Sequence, residues 1–127
     1  MSYSLENKVV VVTGATKGMG LASSKSLLEL GANVVMVYCR DTANAKQVEA
    51  KLASYAGQML LLQADITKVE DRQRILALTL EKFKQIDVLV NNAGIAAKSG
   101  FLKEQEEAYD LVLDVNLKAP IILAKLV

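Results

Sequence analysis

The chain has 127 residues, 52% apolar and 23% charged, and 15 Lys plus Arg against 14 Asp plus Glu give a net charge of +1. That length fits a single domain over residues 1–127, with apolar content enough for a core and too high for a disordered chain. The one cysteine excludes an internal disulfide, the lack of histidine excludes His-based catalysis, and a charge near zero argues against a nucleic-acid partner.

With Cys39 as the lone thiol and no histidine, no metal site is expected. The start, MSYSLENK, has no apolar run behind a basic head and does not read as a leader. Apolar runs such as residues 9–12 fall far short of the ~20 residues that span a bilayer. These features lead us to expect a cytoplasmic protein with no membrane contact.

Residues 8–13 (KVVVVT) form a β-branched run suited to a strand buried on both faces. A glycine-dense stretch, residues 14–20, follows. Residues 21–30 read as a helix closed by Gly31, and Asn33–Tyr38 as a second strand. Residues 44–56 read as a helix closed by Gly57, and Met59–Gln63 as a third strand. Thr67 and Glu70 have the spacing of a capping box, ahead of a helix whose apolar stripe is Val69, Leu76, Leu80 and Phe83. Residues 87–91 read as a fourth strand. Residues 103–113 and 117–127 read as helices with a break near Asn116. Strands alternating with helices predict an α/β domain with a parallel sheet and right-handed crossovers.

Three of the seven glycines fall at Gly14, Gly18 and Gly20, directly after a strand and at the start of a helix. That context suits a turn that binds a dinucleotide pyrophosphate. Gly14 can take the tight turn, Gly18 can bring backbone N–H groups close to phosphate, and Gly20 can pack the helix close to the sheet. The helix start supplies unpaired donors, and Thr13 and Thr16 can add hydroxyls. The alternative is a structural β–α turn that merely uses glycine.

In such a fold the end of the second strand faces the adenosine ribose. Arg40 lies there, and Lys17 reaches in from the glycine turn. Two cations from separate loops favour NADP(H) over NAD(H), because both pair with a 2′-phosphate. Asp41 works against this, since it can neutralise Arg40 or bind the ribose itself. The alternative is a solvated Arg-Asp turn. Cys39 reads as a small apolar filler beside the cofactor.

The run Thr13-Gly14-Ala15-Thr16-Lys17-Gly18-Met19-Gly20 resembles the cofactor turn of the short-chain dehydrogenase/reductase family. Asp65-Ile66 is similar to that family's adenine-contacting pair, Asn91-Asn92-Ala93-Gly94 to its N-N-A-G signature, and Asn116 in Val115-Asn116-Leu117 to its catalytic Asn. The four motifs occur in the family's order across the chain. A flavodoxin-like phosphate or flavin binder shares the alternation but needs neither N-N-A-G nor Asn116.

The resemblance implies a Rossmann-type sheet with helices on both faces, strand order 3-2-1-4, and hydride transfer between a nicotinamide and a carbonyl or alcohol. It implies cofactor contacts from Gly14, Thr16, Lys17, Gly18, Met19, Gly20, Arg40, Asp65, Ile66, Asn92, Ala93, Gly94 and Val115. It also implies a catalytic role for Asn116, whose backbone carbonyl holds a water in a proton relay. Pro120 lies four residues on and has no N–H to bond that carbonyl, so a helix running through should kink there. Alternatively, Pro120 sits in the first turn of the last helix, where it is tolerated.

The family's chemistry also needs a Ser and a Tyr-x-x-x-Lys pair. The residues four places after Tyr3, Tyr38, Tyr55 and Tyr109 are Asn7, Thr42, Met59 and Leu113, so no such pair is present. The family's later strands are missing too, and the apolar end at residues 121–127 reads as an interruption. The expectation is a domain truncated after the fourth strand and its helix, with weak cofactor binding and no turnover alone. A second reading is a non-catalytic truncated isoform or pseudo-enzyme that binds nucleotide or pairs with a subunit, its partner a second copy or a full-length chain.

Overall fold

The computed structural model describes residues 3–127; Met1 and Ser2, where the reading of the leader begins, lie outside the described residues. Four parallel strands form one sheet in the order β3-β2-β1-β4: β1 (Val9–Thr13), β2 (Asn33–Tyr38), β3 (Met59–Gln63) and β4 (Val88–Val90). Five α-helices accompany them: α1 (Gly18–Glu29), α2 (Thr42–Lys51), α3 (Val69–Phe83), α4 (Glu106–Leu113) and α5 (Ala119–Leu126).

Side-chain alternation along the strands divides the core into two layers. Val10, Val12, Val34 and Met36 pack with Leu28 of α1 and with Val48 and Leu52 beside α2. Val11, Val35 and Val37 face the other way, onto Ile75 of α3 and Ala119 and Leu123 of α5. Every residue of β1 is buried, as its β-branched run requires.

Helix boundaries show where local chemistry departs from pattern. α1 begins at Gly18, earlier than the apolar periodicity suggests, because the glycines themselves form its first turn. Its end matches expectation. Gly31 takes φ +91°, its N–H donates to the Leu28 carbonyl, and the Ala32 N–H reaches the Leu27 carbonyl. That pair of bonds is a Schellman closure.

The helix expected over 44–56 is corrected at both ends. Asp41 caps α2 by accepting the Asn44 N–H, so the helix starts at Thr42. After Lys51 the chain tightens into a 3-10 turn over Ala53–Gln58, and Gly57 lies inside that turn instead of closing a helix.

The capping box does not form. The Thr67 hydroxyl donates to Asp65 at 2.6 Å, and α3 starts after Lys68 with no side-chain cap. The expected stripe on α3 is also shifted. Val69 and Leu80 are exposed, and the buried positions are Arg72, Ile75 and Thr79. Arg72 is tolerated inside because its guanidinium donates to the Ile66 carbonyl at 2.7 Å, and the Thr79 hydroxyl donates to the Ile75 carbonyl.

β4 is shorter than the run 87–91. The Asp87 carboxylate accepts the β1 N–H of Val9 at 2.8 Å, and the Asn92 N–H turns back onto the Val90 carbonyl. Among the described residues β4 pairs with β1 alone, and Val88, Leu113, Leu117 and Ile121 are exposed.

No break separates the last two helices. A π turn over Asp114–Lys118 joins α4 to α5, with the Ala119 N–H reaching the Asp114 carbonyl five residues back. Pro120 sits in the first turn of α5. The wider turn carries the chain past a residue that lacks an N–H, so the two readings of Pro120 are both partly met.

The outer edge of β3 is guarded. Ala64 donates to β2 through Tyr38, so the carbonyls of Met59 and Gln63, odd-numbered along the same strand, face outward. Lys82 Nζ takes the first at 2.9 Å and the Arg74 guanidinium takes the second. Cations on an edge discourage pairing with another chain. Replacing both with Ser is expected to produce concentration-dependent self-association in sedimentation velocity. An unchanged sedimentation coefficient up to high concentration would remove this role for them.

Candidate dinucleotide site

The carboxyl ends of all four strands open onto one cleft of about 680 Å3. In open α/β sheets this is where ligands lie, and the volume suits a cofactor-sized molecule. Its walls include Gly14, Thr16, Lys17, Arg40, Asp65, Ile66, Ala93, Gly94 and Val115 from the expected set. Gly18, Met19 and Gly20 stand at the adjoining start of α1, while Asn92 and Asn116 act from behind the lining.

The glycine turn is built by close backbone approach. Gly14 takes φ +62°, where an L side chain is strained. A Cβ on Gly20 would fall 2.1 Å from the Gly14 carbonyl oxygen and 2.5 Å from Asn92 Nδ2. Gly18 is different: φ is +52°, yet beyond its chain neighbours and its own helix backbone no atom lies within 4 Å of the Cβ position. Lys17, the N-cap of α1, makes no side-chain cap, so the first N–H groups of the helix have no partner from it. An uncapped helix start beside an open glycine fits a pyrophosphate.

Two residues lock this turn to β4. The Thr13 hydroxyl accepts the N–H groups of Asn92 (3.1 Å) and Ala93 (2.9 Å). Asn92 Nδ2 donates to the carbonyls of Thr13 (3.0 Å) and Gly14 (3.1 Å). The expectation that Thr13 adds a donor to phosphate is therefore corrected, because its hydroxyl is buried and engaged with the chain itself. Asn92 shapes the turn through both of those bonds.

The adenosine end differs from the sequence reading in two ways. Asp41 does not pair with Arg40; its carboxylate lies 2.8 Å from Lys17 Nζ. The Lys17 ammonium and then the Asn44 N–H hold the Asp41 carboxyl below the usual range. Among the described residues Arg40 forms no ion pair. Cys39 is exposed at the cleft and is not an apolar filler, since β2 has ended and its side chain has left the core.

Asp65 holds the β3–α3 turn. One carboxylate oxygen accepts both the N–H and the hydroxyl of Thr67, and its own N–H donates to Asp71 at 2.7 Å. That Asp65 N–H, followed by Arg74, keeps the Asp71 carboxyl below its usual range. Opposite, Asn116 grips the backbone of Ile95: its Oδ1 accepts the N–H at 2.8 Å and its Nδ2 donates to the carbonyl at 2.7 Å. Its own backbone carbonyl has no N–H to meet at Pro120.

The sequence reading missed one wall, formed by residues 95–99 with Ala108, Leu111 and Val112. Glu104 gathers that loop by accepting the N–H groups of Lys98 and Ser99, both at 2.9 Å. The Ser99 N–H is the main cause of a lowered Glu104 carboxyl. Only Gly100, at φ +78°, marks the turn in the sequence.

A parallel sheet with an uncapped glycine turn at its carboxyl edge defines a dinucleotide-binding α/β protein. The chain belongs to the short chain dehydrogenase family, whose pattern it matches over residues 8–127. It is 34% identical over 124 residues to a 3-oxoacyl-[acyl-carrier-protein] reductase of Synechocystis, covering 98% of this chain and 50% of that protein. It is 37% identical to dehydrogenase/reductase SDR family member 4 of Pongo abelii, covering 97% of this chain and 44% of that one. Among solved structures, a 3-ketoacyl-(acyl-carrier-protein) reductase from Brucella melitensis complexed with NADH superposes with a TM-score of 0.85 at 35% identity, covering 96% of this chain and 49% of that one. A second Brucella melitensis short-chain dehydrogenase/reductase reaches a TM-score of 0.89 at 30% identity, covering 98% and 52%. The chain thus spans about half the length of the relatives it matches.

Two predictions follow from the geometry. Gly20→Ala forces a Cβ into backbone, whereas Gly18→Ala meets only the strain of positive φ. Denaturant unfolding should show losses of about 3 and about 1 kcal/mol respectively, and equal losses would contradict the close packing at Gly20. Asp71 has a depressed carboxyl in the fold, so its contribution is present above the unfolded value of about 4 and is lost as pH falls through the folded value. Asp71→Asn should lower stability at pH 7 and flatten the acid limb of a stability-against-pH curve; an unchanged limb would disprove this.

Proposed function

We propose that this chain is the cofactor-binding part of an oxidoreductase that prefers NADP(H) and acts on a small carbonyl or alcohol substrate. The observation that carries the reading is the uncapped start of α1 at the glycine turn, with Lys17 and Arg40 on the adjoining wall of the cleft. The N–H groups of residues 18–20 bind pyrophosphate. Lys17 and Arg40 bind a 2′-phosphate. Asp65 accepts the adenine amino group through the oxygen that Thr67 leaves free, and the Ile66 N–H meets a ring nitrogen. Ala93 and Gly94 let a ribose pass close to the backbone, beside Val115.

A nicotinamide held there would give hydride to a carbonyl or take it from an alcohol. Asn116 is the catalytic residue of the set: its carbonyl, without an N–H partner at position 120, holds a water for proton transfer. Relatives named for 3-oxoacyl carriers support a carbonyl as the substrate class. The NADH in the Brucella relative stands for the competing cofactor choice. The exposed thiol of Cys39 suits a reducing cytoplasm.

A second reading for the 127 residues alone is a nucleotide-binding module that self-associates or pairs with a longer subunit, supported by the open edge of β4 and the exposed Leu113, Leu117 and Ile121. Fluorescence titration should give tighter binding of NADPH than of NADH, with no carbonyl reduction by the purified chain. Tighter NADH binding would overturn the cofactor preference. Measurable turnover would overturn the inactivity.

A further inference from the structure

We propose that Asp41 tunes the nucleotide preference of the cleft by holding Lys17 until a 2′-phosphate takes its place. The inference rests on the cofactor reading above. Lys17 and Asp41 come from separate loops, line the same cleft and meet at 2.8 Å. The two partners are not equally free to move. Asp41 is fixed two ways apart from Lys17: its backbone is left-handed at φ +40°, and its Oδ1 caps α2 by accepting the Asn44 N–H at 3.0 Å, which leaves Oδ2 facing Lys17. Asn44 in turn donates through Nδ2 to the Thr16 carbonyl at 3.0 Å, beside Lys17 in the chain. The α2 entry and the glycine turn are therefore strapped together, and the carboxylate stands still while the lysine, two-thirds exposed along its side chain, can swing.

A ribose 2′-hydroxyl brings no charge and leaves this pair intact. A phosphate monoester carries about −1.5 to −2 at pH 7 and competes for the ammonium. Arg40, without an ion pair among the described residues, supplies the second cation. Binding of a 2′-phosphate thus requires Lys17 to leave Asp41, and a fixed carboxylate next to the phosphate opposes that binding. Asp41 moderates a preference that Lys17 and Arg40 create.

Asp41→Asn is the informative change, because Asn tolerates the left-handed backbone and caps a helix as well as Asp. Only the charge is removed. Fluorescence titrations of NADPH and NADH, with 2′,5′-ADP and 5′-AMP as competitors, read the effect. We expect NADPH and 2′,5′-ADP to bind about three- to fivefold tighter to the variant, the scale of an exposed ion pair. NADH and 5′-AMP should be unchanged, and the melting temperature of the variant should stay close to that of the parent. In a Lys17→Met background the substitution should lose most of this effect.

Weaker NADH with unchanged NADPH would make Asp41 a ribose acceptor and overturn the proposal. Unchanged binding of all four nucleotides would overturn it as well, leaving the cofactor reading in place. Failure of the parent protein to bind any of them would overturn both.

Discussion

The molecule turns on the contact between the end of β1 and the end of β4. Thr13 accepts two N–H groups from the β4 exit, and Asn92 returns two donors to the carbonyls of Thr13 and Gly14. Four hydrogen bonds, made in a partly buried setting, fix the glycine turn relative to the sheet. Their satisfaction matters more than their number, since an unpaired donor or acceptor there would cost about 1–3 kcal/mol. The bonds form only because Gly20 has no Cβ to displace Asn92. The residues that look most like ligands in a motif are thus in part the scaffold that shapes the ligand site.

This arrangement separates shape from charge. The β1–β4 contact sets where the helix start points, and the α2 entry sets which cations face the adenosine end. The two are joined by Asn44, whose side chain holds the Thr16 carbonyl while its N–H is capped by Asp41. A site divided in this way can change its charge pattern without altering the turn that binds pyrophosphate.

Much of the fold was legible because it rests on backbone periodicity. The β-branched run of β1 and the span of β2 follow from residues buried on both faces of a parallel sheet, the half-buried edge strand β3 follows from its apolar run, and Gly31 follows from the conformation a helix end needs. What was not legible depends on which of several polar partners a side chain chooses. Thr67 has the spacing of a cap but sits within reach of Asp65 and bonds it instead. Arg72 breaks the polar-outside pattern because the Ile66 carbonyl meets it inside. From its chain neighbours Asp41 can be expected to neutralise Arg40 or to bind the ribose, whereas the fold presents it with Lys17 from another loop. The wall formed by residues 95–99 had no motif at all, because Glu104 shapes it through backbone N–H groups that every sequence possesses.

The grip of Asn116 on Ile95 has a mechanical side. Its amide meets the backbone as a neighbouring strand would, with donor and acceptor both engaged. A single bond would act as a pivot; two side by side resist rotation. The rim of the cleft at Ile95 and the π turn at Asn116 are therefore joined directly, by a contact that does not pass through the sheet.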